Sequence, residues 1–250
     1  HARMRTHASE HGMEMRNMSA AWYDPRIARG MAQQLTRWHQ RLKAGEKALG
    51  WKAGFGTAEA MERLRLHAPL IGHLTDATAL RNGETVALEG WVRPLAEAEV
   101  AVVLGKDVGR GASREAAANA IAGLAPAIEL VDLADTPEDV ASILAGNVYH
   151  RHVVLGTRDN NRGGSVEGYS GAVMHNGEQI ASVGELQGAT GDYVELVRHV
   201  ADLLAAFGER LTAGQVIITG AVVPPLEVQP GGSIAFKLNT GAEASVRFKP

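Results

Sequence analysis

The hydrophobic pattern divides the chain into helices with a 3.6-residue apolar stripe and short strands that are apolar on one or both faces. Asp24-Pro25 places a cap and a first-turn proline ahead of a helix over 24–45. Its stripe is Ile27, Met31, Leu35 and Leu42, with Trp38 beside them, and Gly45 stops it. Thr57 caps a second helix to about Leu66, with Met61 and Leu64 inward. Ser113 caps an alanine-rich helix that ends near Gly123. Thr136-Pro137-Glu138-Asp139 is a start signal for a short helix that stops by Gly146. Residues 191–207 form an amphipathic helix with Val194, Val197, Val200, Ala201 and Leu204 on one side.

Strands are expected at 49–55, 85–88, 94–104, 126–132, 147–156 and 216–219, with Gly220 starting a turn. Two hairpins follow the same logic, 171–183 turning at Asn176-Gly177 and 233–248 turning at 239–241. Many strands, four or five helices and no strict βαβ alternation predict an α+β fold. A large mixed sheet curls into a roll or barrel, with helices on its flanks. Residues 1–20 are polar, rich in Met and His, and without periodicity. They are expected to be a disordered tail, with Met18 as an alternative start, and 21–250 to form a single domain.

Two of these strands carry charge where none is expected. In PLAEAEVAVVLGKD (94–107), Glu97 and Glu99 are two residues apart and project from one face of an apolar strand. In PAIELVD (126–132), Glu129 interrupts another apolar run. Like charges on a buried surface are unfavourable unless water or a cation neutralises them. Three glutamates in apolar strands suggest an oxygen-ligand site for Mg²⁺ or Mn²⁺. The plainer alternative puts the pair at an exposed strand end and Glu129 against an arginine such as Arg93.

Lys52 lies inside the apolar run LGWKAGF, where it either snorkels to the rim or serves an anionic ligand. The residues alone favour the rim. His150 and His152 share a strand face and fit either a metal pair or a polar strand edge. Gly54-Phe55-Gly56 lacks the rest of a dinucleotide fingerprint, and Gly105-Lys106 is followed by aspartate, so no Walker A loop is present.

Composition narrows the classes further. The 250 residues are 45% apolar, enough for a sizeable core. A net charge of −3 with scattered basic residues gives no nucleic-acid or anionic-membrane surface. The absence of cysteine excludes disulfides, thiolate zinc sites and a cysteine nucleophile. No apolar run spans a membrane and the first residues lack a secretory core, so a soluble cytoplasmic protein is expected.

Taken together, GWKAGFGT (50–57), APLIGHL (68–74), PLAEAEVAVVLGKD (94–107), PAIELVD (126–132) and LTAGQVIITGAVVPPLEVQPGGSIAF (211–236) resemble the fumarylacetoacetate hydrolase superfamily. The branch they resemble holds 2-keto-4-pentenoate hydratases and 4-oxalocrotonate decarboxylases. The order and spacing of the segments carry the resemblance from about residue 22 onward. It implies a β-roll and a divalent metal, Mg²⁺ or Mn²⁺, on Glu97, Glu99 and Glu129. Lys52 would lie near the substrate carboxylate or 2-oxo group, and Asp76 would stand where hydratases carry an acidic active-site residue.

The chain departs from that pattern at 146–149, where Gly-Asn-Val-Tyr replaces an Asp-Asn-Ala-Ser run and keeps only Asn147. It departs again at 191–193, where Gly-Asp-Tyr replaces Gly-His-Pro. Asn147 and Tyr149 are then candidates for orienting substrate, and His150 for acid–base work. The implied activity is hydration of a 2-hydroxypenta-2,4-dienoate-type acid by a homo-oligomer. Decarboxylation of a 2-oxo acid or C–C hydrolysis of an acylpyruvate would use the same site, and a non-catalytic small-acid binder is the rival from another class.

Overall fold

The computed structural model describes residues 23–134 and 139–250. In chain order these form α1 (Pro25–Lys43), β1 (Ala48–Gly54), α2 (Ala58–Leu64), β2 (Leu70–Thr75), β3 (Ala79–Leu80), β4 (Thr85–Val86), β5 (Pro94–Leu104), α3 (Arg114–Ala120), β6 (Ile121–Asp132), α4 (Val140–Ala145) and β7 (His150–Leu155). Then come β8 (Gly171–His175), β9 (Glu178–Val183), α5 (Tyr193–Ala206), β10 (Val216–Ala221), β11 (Leu226–Glu227), β12 (Ser233–Leu238) and β13 (Glu243–Phe248). The tail expected over 1–20 lies outside the described residues.

One sheet runs β2-β1-β10-β5-β6-β7-β3, with β11 added on β5; a second runs β4-β13-β12-β8-β9. The first is mixed: β1 runs parallel to β10, while β10–β5–β6–β7 are antiparallel. It curls into a half-barrel flanked by five helices, the α+β roll that the pattern predicts. Strands β12 and β13 pack across β6. The core between the sheets is built from β5 and β6 residues such as Val100, Val102, Leu124 and Ile128, all fully buried. None of the described helices is long and apolar enough to cross a membrane.

Helix α1 starts as its sequence dictates. Asp24 accepts the Arg26 backbone N–H, and Pro25 occupies the first turn. Its inner face adds one polar residue to the apolar stripe. The buried Gln34 amide donates to the Ile71 and Leu144 carbonyls, tying α1 to β2 and α4. Gly30 lets α1 and α4 approach, since a Cβ there would lie 2.6 Å from Leu144 Cβ.

Several boundaries differ from expectation. Helix α3 ends at Ala120, and β6 begins at once, because pairing with the far end of β5 (Leu104 with Ile121, Val102 with Leu124) outweighs the helical preference of the alanines. The strand expected over 85–88 is only β4. The helix start at Thr136-Pro137 lies outside the described residues, and α4 is capped by Asp139 through Ser142 N–H. Asn147–Tyr149 is a tight turn instead of strand, so β7 begins at His150. Gly220 lies within β10, at a bulge that shifts the β10–β5 register between Ile218 and Ala221.

Candidate metal centre and its cavity

The antiparallel register of β5 and β6 sets Glu97 opposite Glu129, and the two-residue period of the strand puts Glu99 on the same face. One carboxylate oxygen from each lies within 4.8 Å of the others. Glu99 and Glu129 are fully buried, and Glu97 is half-buried where the group opens into a cavity of about 430 Å³. Phe55, Arg63, Val131 and Tyr149 also line this cavity. The exposed-strand-end alternative is thereby excluded, and Glu129 meets no arginine among the described residues.

Its partners are Lys52 and His150. Lys52 Nζ lies 2.6 Å from Glu129 Oε2 and donates to the Val148 carbonyl at 3.0 Å. Lys52 is 2% exposed, so the rim position favoured by its local sequence is wrong. The reason is topological: β1 is an inner strand between β2 and β10, so its lysine has no rim to reach. His150 Nδ1 lies 2.7 Å from Glu129 Oε1, and its Nε2 lies 3.0 Å from the Thr78 hydroxyl.

The electrostatics follow from burial. Glu97 is pushed up to about 7 by burial and by the Glu129 charge. Glu99 is raised well above the ordinary glutamate value by burial, then by Glu129 and Glu97. Burial would raise Glu129 too, but Lys52 and His150 hold it below its usual value. Lys52 is pulled down by burial and more than restored by the three carboxylates. His150 is lowered by burial, against the opposing pull of Glu129. With all three glutamates ionised, Lys52 offsets one charge and leaves two. A divalent cation would neutralise these.

The donor set also fits a hard ion. It is all carboxylate oxygen, and buried Glu99 Oε1 accepts no hydrogen bond from the described residues, while its Oε2 accepts the Gly220 N–H at 2.9 Å. The bulge at Gly220, with φ 102°, is what turns that N–H toward Glu99.

The other expected site residues divide. Tyr149 lines the cavity near Phe55, with ring centroids 6.2 Å apart. Asn147 is engaged by β2: its Oδ1 accepts the His73 N–H at 2.7 Å, and its Nδ2 donates to the His73 carbonyl at 3.0 Å. Asp76 is exposed, and its carboxylate accepts the Lys47 N–H, so the structure does not bring it to the cluster. The two histidines of the H-x-H pair do not act together, since His152 stacks on Trp91 with centroids 5.9 Å apart. The departures at 191–193 serve the scaffold: Asp192 caps α5 and pairs with Arg114, and the Tyr193 hydroxyl donates to the Leu186 carbonyl.

Sequence reading missed Thr78, the Val148 carbonyl and the Gly220 N–H. A glycine inside a strand pattern is a recognised sign of a bulge and would have drawn attention to Gly220. The carbonyl contributed by Val148 has no side-chain signal.

Comparison with known proteins places this architecture. Over 213 residues the chain is 29% identical to a 2-hydroxyhexa-2,4-dienoate hydratase of Comamonas testosteroni, covering 83% of this chain and 81% of the relative. It is 26% identical over 244 residues to a 2-keto-4-pentenoate hydratase of Paraburkholderia xenovorans, covering 96% and 90%. The 4-oxalocrotonate decarboxylase of Pseudomonas putida G7, solved with magnesium and adipate, shares the fold with a TM-score of 0.79 at 23% identity. That match covers 99% of this chain and all of the other. Residues 40–247 match the family model described as fumarylacetoacetate (FAA) hydrolase C-terminal. Since that span takes in every strand of the larger sheet, the chain belongs to the fumarylacetoacetate hydrolase family.

Proposed function

We propose that this protein is a metal-dependent lyase acting on a small unsaturated 2-oxo acid, with hydration of a 2-hydroxypenta-2,4-dienoate-type substrate as its reaction. The observation that carries the reading is a cluster of three carboxylates and a buried lysine that reaches a cavity through Glu97 and Lys52. Glu97, Glu99 and Glu129 would hold a divalent cation, Mg²⁺ or Mn²⁺, which would supply Lewis acidity toward a 2-oxo acid. Lys52, ion-paired with Glu129, presents its remaining N–H to the same end of the cavity as a donor to the substrate carboxylate. Phe55, Val131, Leu133 and Tyr149 receive the hydrocarbon tail and limit the water around it. His150, bound to Glu129, holds that carboxylate in place. The family resemblance also supports a homo-oligomer.

The test is the decay of dienol absorbance with Mg²⁺ in wild type and in Glu99→Gln. Loss of turnover in a folded variant is expected, and full turnover in the variant or in EDTA would refute the reading. One observation favours decarboxylation as a second reading. Arg63 stands on α2 at the cavity wall with no ion pair among the described residues, a position suited to a second carboxylate. Release of CO₂ from a dicarboxylic 2-oxo acid, lost in Arg63→Ala, separates the two.

A further inference from the structure

Asn147, Val148 and Tyr149 have φ values of 55°, 51° and 64° in succession. The left-handed region disfavours any side chain, and a β-branched valine most of all. Single residues of this kind close turns, whereas three together must be held from outside. The Asn147 amide does the holding by pairing with both backbone groups of His73 on β2. Two glycines leave the room: a Cβ at Gly72 would lie 2.8 Å from Asn147 Oδ1, and one at Gly54 would lie 2.8 Å from Val148 Cγ1.

What the turn accomplishes is the placement of one carbonyl. Val148 accepts from Lys52 Nζ at 3.0 Å, while Glu129 takes a second contact at 2.6 Å. An ammonium has three N–H groups, so one is left for the cavity that Lys52 lines. A lysine on four rotatable carbons has no such fixed aim by itself.

We propose that Asn147 is a positioning residue. By clamping the left-handed turn onto β2 it fixes the Val148 carbonyl, and through it the direction in which Lys52 meets the acid group of the ligand. The ligand half of this inference rests on the 2-oxo-acid reading; the positional half does not.

The test uses two variants and two readouts. Asn147→Gly keeps the left-handed backbone without steric cost and removes the clamp. Asn147→Asp keeps an acceptor for the His73 N–H. The first readout is the acetylation rate of Lys52 by acetic anhydride in folded, metal-free protein, followed by mass spectrometry against the exposed Lys47 and Lys106. The second is the thermal shift by oxalate in the presence of Mg²⁺, set against the shift by Mg²⁺ alone. Asn147→Gly should raise Lys52 labelling relative to the reference lysines and weaken oxalate about tenfold or more, with the Mg²⁺ midpoint unchanged. Asn147→Asp should fall between it and wild type, and it carries the test if the glycine variant does not fold.

A lower melting temperature with wild-type labelling ratio and wild-type oxalate affinity would make Asn147 purely structural and overturn the proposal. If wild type itself shows no oxalate shift, the 2-oxo-acid reading fails, and the labelling ratio still decides the position of Lys52.

Discussion

Stripped of metal, the carboxylate cluster should make the protein less stable as the pH rises. Glu97 moves from an ordinary 4.5 to about 7 in the fold, with burial the first cause and Glu129 the second. The folded state thus binds this proton more tightly than the unfolded chain. Its contribution to stability is complete below pH 4.5 and is lost as the pH rises through 7. At roughly 1.4 kcal/mol per unit, the shift amounts to about 3 kcal/mol. Glu99 is raised by the same causes and adds in the same direction.

For a chain of this length each kcal/mol moves the melting temperature by roughly 2–4 °C, so Glu97 alone accounts for roughly 10 °C. The assay is thermal unfolding in EDTA from pH 5 to 8, on wild type and on Glu97→Gln, whose amide does not ionise. Subtracting one from the other cancels the groups remote from the cluster and leaves Glu97 together with its effect on Glu99 and Glu129. The variant should gain on wild type steadily across this range, and saturating Mg²⁺ should abolish the gain, since the cation replaces the proton. A wild-type-minus-variant difference that stays flat from pH 5 to 8 in EDTA would refute the electrostatic picture of the cluster.

Three further outcomes are expected. Lys52→Met leaves Glu129 without its main counter-charge and should cost about 3–5 kcal/mol in metal-free protein by denaturant unfolding, with partial recovery in Mg²⁺. An unchanged midpoint would mean that Lys52 does not balance the cluster. His73, lowered to about 3 by burial and then by Arg41 and His150, is neutral in the fold, so its contribution is complete above pH 6.5 and is lost as the pH falls toward 3. Against His73→Gln, wild type should lose about 2 kcal/mol between pH 6.5 and 4.5, and parallel curves would contradict this. Gln34→Ala removes two buried hydrogen bonds and should cost about 2–3 kcal/mol while leaving the Mg²⁺ midpoint where it was.

The metal-ligand candidates were legible because carboxylates are conspicuous in apolar strands. Glu97, Glu99 and Glu129 were singled out by their neighbours alone, and the antiparallel register of β5 and β6 then brings them together. Lys52 was not legible in the same way. Its local run says only that a cation interrupts a strand, and whether it reaches solvent depends on which strands lie beside β1. That is settled by pairing with β10, far along the chain. Asn147 was visible as a residue but not in its role, because a primary amide serves a substrate and a neighbouring backbone equally well, and only the position of His73 distinguishes them. Asp76 was placed by likeness, and the fold turns it outward onto Lys47. The strand boundaries at 121, 150 and 220 moved because ladder partners and a bulge, not local propensity, decide where pairing ends.

The parallel pairing of β1 with β10 has a bearing on biosynthesis. Trp51 on β1 donates to the Gln215 side chain across 164 residues of sequence. At a ribosomal pace of 5–20 residues per second, β1 therefore waits about 10–30 s for its partner to be made. During that interval β2 can cover only one of its edges, and its other edge offers unpaired backbone groups beside an apolar surface. The Lys52 strand cannot reach its final place before β10 emerges, so the Lys52–Glu129 pair is among the last parts of the nascent chain to assemble. The growing polypeptide is most open to mispairing at the strand that carries Lys52.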